Sequence, residues 1–226
     1  MTSPSNQSSA QLRRHDLVHV SPVAWRTLVS RREDLAREPL AGGWVDRGWP
    51  LIARRSGPGE ASGAPLGLPL PPAFGKRRLA VVMRRDDIVA TTPPPRLSAA
   101  VEVAPAAWRP SLQQIECLAA AHGVVARIYG SLAWRMLTGL EYLTASSDLD
   151  LALPFPAFCD LGRLTGGLAA IETAAPMRLD GELIRSDGAA VNWRELHAGA
   201  AEVLVKRRGD AVLLRAAEFT SQGVWP

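Results

Sequence analysis

Residues 124–153 read VVARIYGSLAWRMLTGLEYLTASSDLDLAL, and this stretch decides the fold. Residues 124–129 are a β-branched run between Gly123 and Gly130, which predicts a strand. Gly130-Ser131 turns directly into residues 132–138, a helical pattern stopped by Gly139. After Ser146-Ser147, residues 148–153 alternate with period two and end at Pro154, which predicts a half-buried strand.

That alternation carries chemistry. Asp148 and Asp150 are two apart in the strand, so both carboxylates leave one face while Leu149 and Leu151 enter the core. Two anions held that close repel unless a cation lies between them, and oxygen-only ligands suit Mg²⁺ or Mn²⁺ rather than zinc. Gly130-Ser131 stands where a strand gives way to a helix, so free backbone N–H groups and the positive end of the helix dipole make an anion site. Gly130 permits close backbone approach, and the Ser131 hydroxyl can cap the helix or bind a phosphate oxygen. Taken singly, a Gly-Ser turn is common and an Asp-x-Asp strand is often a solvated face. It is their order on successive elements that is specific.

On the N-terminal side, Ser111 and Gln114 have the spacing of a capping box and predict the start of a helix that Gly123 ends. On the C-terminal side come a helix over about residues 157–173, a strand over 177–184, a short helical piece over 193–197, and a hairpin of 203–207 with 212–214 around Gly209-Asp210. Together these predict an α/β (α+β) mixed sheet with helices on one side. The front of the chain predicts a smaller α+β module: strands over 15–20, 49–55 and 78–83, and a helix from Pro22 to about residue 36. Residues 56–75 are so dense in Gly and Pro that they predict loop or turn. The proline run in residues 91–96, TTPPPR, marks the boundary. The expected division is a disordered tail over 1–11, a basic module over 12–95 and a catalytic domain over 105–226.

The 226 residues are 47% hydrophobic and 21% charged, ordinary values for globular protein. Cys117 and Cys159 are too few for a disulfide framework and lie in no zinc-binding spacing, which fits a reducing compartment. The first residues, MTSPSNQSSAQLRRHD, have no apolar core for a signal peptide, and no run of about 20 apolar residues occurs. These features predict a cytoplasmic protein with no membrane span. The net charge of +4 is uneven: residues 1–100 carry 15 Lys/Arg against 8 Asp/Glu, and residues 101–226 carry 11 against 14. No basic helix, RNA-recognition signature or zinc finger accompanies the surplus, and an acidic cluster repels a phosphate backbone, so nucleic acid is not the expected partner. All but two of the cations are Arg, in keeping with a GC-rich genome; the lysines are Lys76 and Lys206.

A strand ending in Gly-Ser, a helix and an Asp-x-Asp strand resemble the nucleotidyltransferase superfamily of the polymerase-beta type. In that superfamily the Gly-Ser turn grips a triphosphate and the two Asp residues hold metal ions for in-line attack on the α-phosphorus. The resemblance implies a third carboxylate from a later strand. In Arg178-Leu179-Asp180-Gly181-Glu182 this is Asp180, with Glu182 on the same face in reserve.

The segment from Tyr129 to Leu153 further resembles the hallmark of phosphoribosyl-dephospho-CoA transferases, the holo-acyl-carrier-protein synthases of malonate decarboxylase. Arg14-His15-Asp16-Leu17, Trp49-Pro50-Leu51, Gly67-Leu68-Pro69-Leu70-Pro71, Gly75-Lys76-Arg77-Arg78, Leu179-Asp180-Gly181-Glu182, Ala190-Val191-Asn192-Trp193-Arg194-Glu195 and Val203-Leu204-Val205-Lys206 agree with it. The chain departs from the pattern near His19, where an aromatic residue is expected, and near Arg135, where a Gln is expected.

The resemblance implies triphosphoribosyl-dephospho-CoA as donor and a serine on the acyl-carrier subunit of malonate decarboxylase as acceptor. It implies that Asp148, Asp150 and Asp180 hold Mg²⁺ or Mn²⁺, with Asp180 either the third ligand or the base for the serine proton. Gly130 and Ser131 would cradle the β- and γ-phosphates. Lys206 would neutralise the leaving pyrophosphate or simply end a solvated strand. Lys76, Arg77 and Arg78 would contact the triphosphate, the dephospho-CoA or an acidic carrier, or form a plain basic surface. Two further readings stand beside it: a nucleotidyltransferase that adenylylates a small molecule or another protein, and a nucleic-acid-binding module with a vestigial site.

Overall fold

The computed structural model describes residues 12–57, 60, 62–207 and 209–221; the tail expected over residues 1–11 lies outside them. The chain forms two compact units. One comprises the residues up to Leu68 together with Ala80–Thr92, and the other Pro69–Leu79 together with the residues from Pro93 onward.

The first unit is built on strands β1 (Leu17–Val20), β2 (Leu51–Ala53), β3 (Ala64–Pro69), β4 (Arg78–Met83) and β5 (Ile88–Thr92), in the order β4-β3-β2-β1-β5, except that Pro69 of β3 and Arg78 and Leu79 of β4 fall in the second unit. Helix α1 (Pro22–Arg31) starts where the Ser21 hydroxyl accepts from Ala24 N and Pro22 fills the first turn. The single helix expected to residue 36 is broken at Arg32, whose backbone is extended, and resumes as α2 (Glu33–Ala36). Two tryptophans fill the core, and each satisfies its ring N–H on a backbone carbonyl: Trp25 on Ala41 at 2.7 Å and Trp44 on Pro50 at 2.9 Å.

One further expectation fails in this unit, and one strand was not foreseen. The Gly/Pro-rich stretch expected as loop contains β3, which pairs Ile52 with Gly67 and Ala53 with Leu66 and buries Leu66 and Leu68 completely. Its prolines lack an N–H yet still supply carbonyls, Pro65 O accepting from Arg54 N at 3.0 Å. Strand β5 gives no alternation signal because its side chains are almost all exposed; pairing with β1, Leu17 opposite Thr92 and His19 opposite Ala90, makes it a strand.

The second unit carries the sheet of β6 (Arg127–Ile128), β7 (Leu149–Pro154), β8 (Leu179–Ile184), β9 (Ala190–Asn192), β10 (Glu202–Lys206) and β11 (Ala211–Arg215), in the order β11-β10-β9-β8-β7-β6. β7 and β8 run parallel, with Asp150 beside Asp180, and the other pairings are antiparallel. Helices α3 (Arg109–Ala121), α4 (Gly130–Thr138), α5 (Leu161–Ala174), α6 (Trp193–His197) and α7 (Ala216–Ser221) complete the expected mixed α+β fold.

One face of this sheet is closed. Leu149, Leu151, Leu153, Leu179, Leu183, Val191, Val203 and Val205 join one apolar cluster with Leu112 and Ile115 of α3, Leu132 of α4, Leu164 and Leu168 of α5, Trp193 of α6 and Phe219 of α7. The capping box expected at Ser111 is not used: α3 begins at Arg109, Pro110 occupies its first turn, and Ser111 is buried inside the helix. The strand expected over 124–129 narrows to Arg127–Ile128, while α4 starts and stops at the expected glycines. β9 and α7 were not foreseen, being too short to show a period. No described helix is long and apolar enough to cross a membrane.

Candidate active site

The opposite face of β7 and β8 carries the carboxylates. Asp148, Asp150 and Asp180 each offer an oxygen, and the three oxygens lie within 4.8 Å of one another. All three residues are half-buried. The cause is local: period-two alternation turns Leu149, Leu151 and Leu179 into the core, and the parallel register sets Asp180 directly beside Asp150.

The Gly130-Ser131 turn meets this cluster through Asp150. Gly130 has φ +63°, and a Cβ there would stand 1.8 Å from Asp150 Oδ2, so only glycine fits. The Ser131 backbone N–H donates to the Asp150 carboxylate, and Tyr129 N donates to Asp150 O at 3.1 Å. The turn expected to cradle phosphate therefore seats a carboxylate. The Ser131 side chain does not cap α4.

Burial, followed by the charges of Asp148 and Asp180, pushes Asp150 up to about 7; the Ser131 amide and the Arg78 guanidinium pull the other way. Ionising Asp150 beside two other acids is therefore costly without a cation. The donor set, all carboxylate oxygens from two adjacent strands, fits a hard divalent ion such as Mg²⁺ or Mn²⁺.

The structure divides the expected cations. Arg78 belongs to the second unit, and its charge acts on Asp150. Its segment is tied to that unit by the buried Tyr142, whose Oη donates to Pro69 O at 3.0 Å. Lys76 and Arg77 stand exposed in the turn before β4, Lys76 with φ +49°. Lys206 is committed elsewhere: its Nζ lies 2.8 Å from Glu182 Oε1. Glu182 is 2% exposed, so the reserve carboxylate pairs with the lysine instead of joining the triad.

One residue of the site was missed. Asn192 Nδ2 donates to Asp180 Oδ1 at 2.8 Å. In the sequence Asn192 belongs to a matching motif but sits beside no acid. Its one local signal is an Asn immediately before a short helix, which reads as an N-cap.

Residues 96–217 match the phosphoribosyl-dephospho-CoA transferase MdcG C-terminal domain, and residues 13–94 match the MdcG N-terminal domain. The chain belongs to the phosphoribosyl-dephospho-CoA transferase family. A relative of that name from Bradyrhizobium diazoefficiens is 50% identical over 221 residues, 98% of either chain. Phosphoribosyl-dephospho-CoA transferases of Xanthomonas euvesicatoria pv. vesicatoria and Xanthomonas axonopodis pv. citri are 39% and 37% identical, spanning 91% and 92% of this chain and 96% and 97% of their own. No solved structure matches. The C-terminal match contains the whole triad, Gly130, Ser131, Asn192 and Lys206, and the N-terminal match contains Lys76, Arg77 and Arg78. The family is one of transferase enzymes.

Proposed function

We propose that this chain transfers the 2′-(5″-phosphoribosyl)-3′-dephospho-CoA group from its triphosphate precursor to a serine hydroxyl on the acyl-carrier subunit of malonate decarboxylase, and that pyrophosphate leaves. The observation that carries the reading is the convergence of Asp148, Asp150 and Asp180 beside the Gly130-Ser131 turn, in a chain of this family. Bound Mg²⁺ or Mn²⁺ supplies neutralisation of the triphosphate charge and alignment of entering and leaving oxygens.

Asp148, Asp150 and Asp180 hold the ion. Gly130 keeps the Asp150 carboxylate against the backbone, and the Ser131 amide fixes its direction. The Ser131 hydroxyl and the amide end of α4 receive the β- and γ-phosphates. The serine oxygen of the carrier bonds to the α-phosphorus while the bond to pyrophosphate breaks, and a triad carboxylate oxygen accepts the serine proton. Arg78, and Lys206 steadied by Glu182, offset charge on the leaving group. Lys76 and Arg77, on an exposed turn, meet the acidic carrier. Two free cysteines and the absence of a long apolar helix among the described residues support a cytoplasmic reaction.

The test is to incubate protein, Mg²⁺, triphosphoribosyl-dephospho-CoA and apo carrier, and to follow the carrier by intact mass. The carrier gains the mass of the prosthetic group, and EDTA prevents the gain. An unchanged carrier mass would sink the proposal. More efficient labelling of another protein or small molecule by ATP alone would move the assignment to an adenylyltransferase.

A further inference from the structure

Three consecutive residues at the end of β9 and the start of α6 reach across to β8 at the point where Asp180 leaves it. Asn192 Nδ2 donates to Asp180 Oδ1 at 2.8 Å. Trp193 Nε1 donates to Leu179 O at 3.2 Å, and its ring packs on Gly181, where a Cβ would stand 2.8 Å from Trp193 Cδ1. Arg194 Nη2 donates to Leu179 O at 3.0 Å, and the guanidinium pairs with Glu172, whose Oε1 accepts from Leu179 N at 2.7 Å. The backbone of the residue before Asp180 is thus held at both its donor and its acceptor, and the residue after it is a glycine that the indole requires.

The side chain of Asp180 is held by Asn192, which makes two bonds of opposite sense. Its Oδ1 accepts from Arg194 N at 3.0 Å and caps α6. That bond settles which end of the amide is oxygen, so the contact with Asp180 is a donation. The donor is neutral and adds no charge beside three carboxylates. It engages one oxygen of Asp180, and the cap keeps the amide from rotating away.

We propose that Asn192 is a positioning residue for the metal centre: through its amide N–H it orients the Asp180 carboxylate toward the oxygens of Asp148 and Asp150. The inference rests on the metal-binding reading of the triad given above. Residues that orient metal ligands in this way change metal affinity by about 10–100-fold when lost.

The experiment compares Asn192→Ser and Asn192→Ala by titrating metal-free protein with Mn²⁺, free Mn²⁺ being read by electron paramagnetic resonance, together with thermal melts. Serine keeps a side-chain oxygen for the cap but has no amide to reach Asp180; alanine loses both. Both variants bind Mn²⁺ about 10–100-fold more weakly than the wild type, and only Asn192→Ala melts at a lower temperature. If Asn192 served as a cap alone, Asn192→Ser would bind Mn²⁺ within twofold of the wild type, and that result overturns the proposal. Wild-type protein that takes up no Mn²⁺ overturns the metal reading itself along with it, a distinguishable outcome because it appears before any variant is made.

Discussion

The two faces of the six-stranded sheet obey one rule, alternation, and put it to opposite ends. On the closed face, Leu149, Leu151, Leu153, Leu179 and Leu183 are completely buried, and each is one apolar contributor among many in a shared cluster. On the open face three acids each have a partner of their own: Asp150 the Ser131 amide, Asp180 the Asn192 amide, Glu182 the Lys206 ammonium. Apolar packing is distributed and tolerant of exchange, whereas a set of individually matched polar groups is not. The closed face therefore sets most of the stability and the open face, on the proposed function, the chemistry, so substitutions on the two should differ in what they change most.

The largest effect belongs to the open face. If the proposed function holds, Asp148→Ala or Asp150→Ala removes a proposed metal ligand and with it several kcal/mol of charge stabilisation, about a thousandfold or more in transfer rate. The variants keep the circular dichroism of the parent, because neither side chain packs in the apolar core. Transfer within tenfold of the wild type in either variant would break the comparison.

On the closed face, Trp193→Ala should cost about 3–5 kcal/mol of stability by urea titration, since Trp193 is 1% exposed and its N–H bonds Leu179 O. The same substitution empties the space above Gly181, so the strand that carries Asp180 loosens as well. Retention of wild-type stability would mean that the indole is not the wedge between α6 and β8.

Much of this division is legible in the sequence. Alternation at residues 148–153 predicts which side chains of β7 enter the core, and the glycines at 130 and 139 bracket α4 as expected. Reading Asp180 as the third acid rests on the family resemblance, since parity puts Asp180 and Glu182 on one face, and the parallel register places Asp180 beside Asp150. What stays hidden is what only long-range pairing creates. β3 is a strand because β2 pairs with it, despite its prolines; Asn192 meets Asp180 because β9 returns antiparallel beside β8. The partner of Lys206 was hidden for the same reason, since nothing local tells a lysine that a buried glutamate stands 24 positions away.

That pair gives an intermediate effect. Lys206→Met takes the ammonium away from the Glu182 carboxylate in a 2% exposed site. Removing one partner of a buried pair costs about 3–5 kcal/mol, and the value here should fall to about 2–3 because the lysine side chain is 29% exposed. Adding Glu182→Gln to Lys206→Met restores most of the stability. Transfer stays reduced in the double variant if the ammonium also meets the leaving phosphates, so stability and rate report different partners of one side chain. Full recovery of both would confine Lys206 to its pairing with Glu182.

The smallest effect is a pH slope, and its sign is diagnostic. In metal-free protein Asp150 sits up to about 7, against an ordinary value of 3.8, chiefly because it is buried. Between those values the folded state holds a proton that the unfolded state has released. The stability linked to Asp150 is therefore full below the unfolded value, declines as pH rises through the window, and is lost above about 7. Because the site is only half-buried and solvent screens its charge, the change should reach only about 1–2 kcal/mol in urea midpoints converted to free energy. Asp150→Asn cannot ionise and flattens the slope. Saturating Mn²⁺ reverses it, since the ion competes with the proton and favours the ionised site as pH rises. Parallel profiles for wild type and Asp150→Asn, with and without Mn²⁺, would show that the open face holds no strained acid, and the contrast between the two faces would lose its electrostatic half.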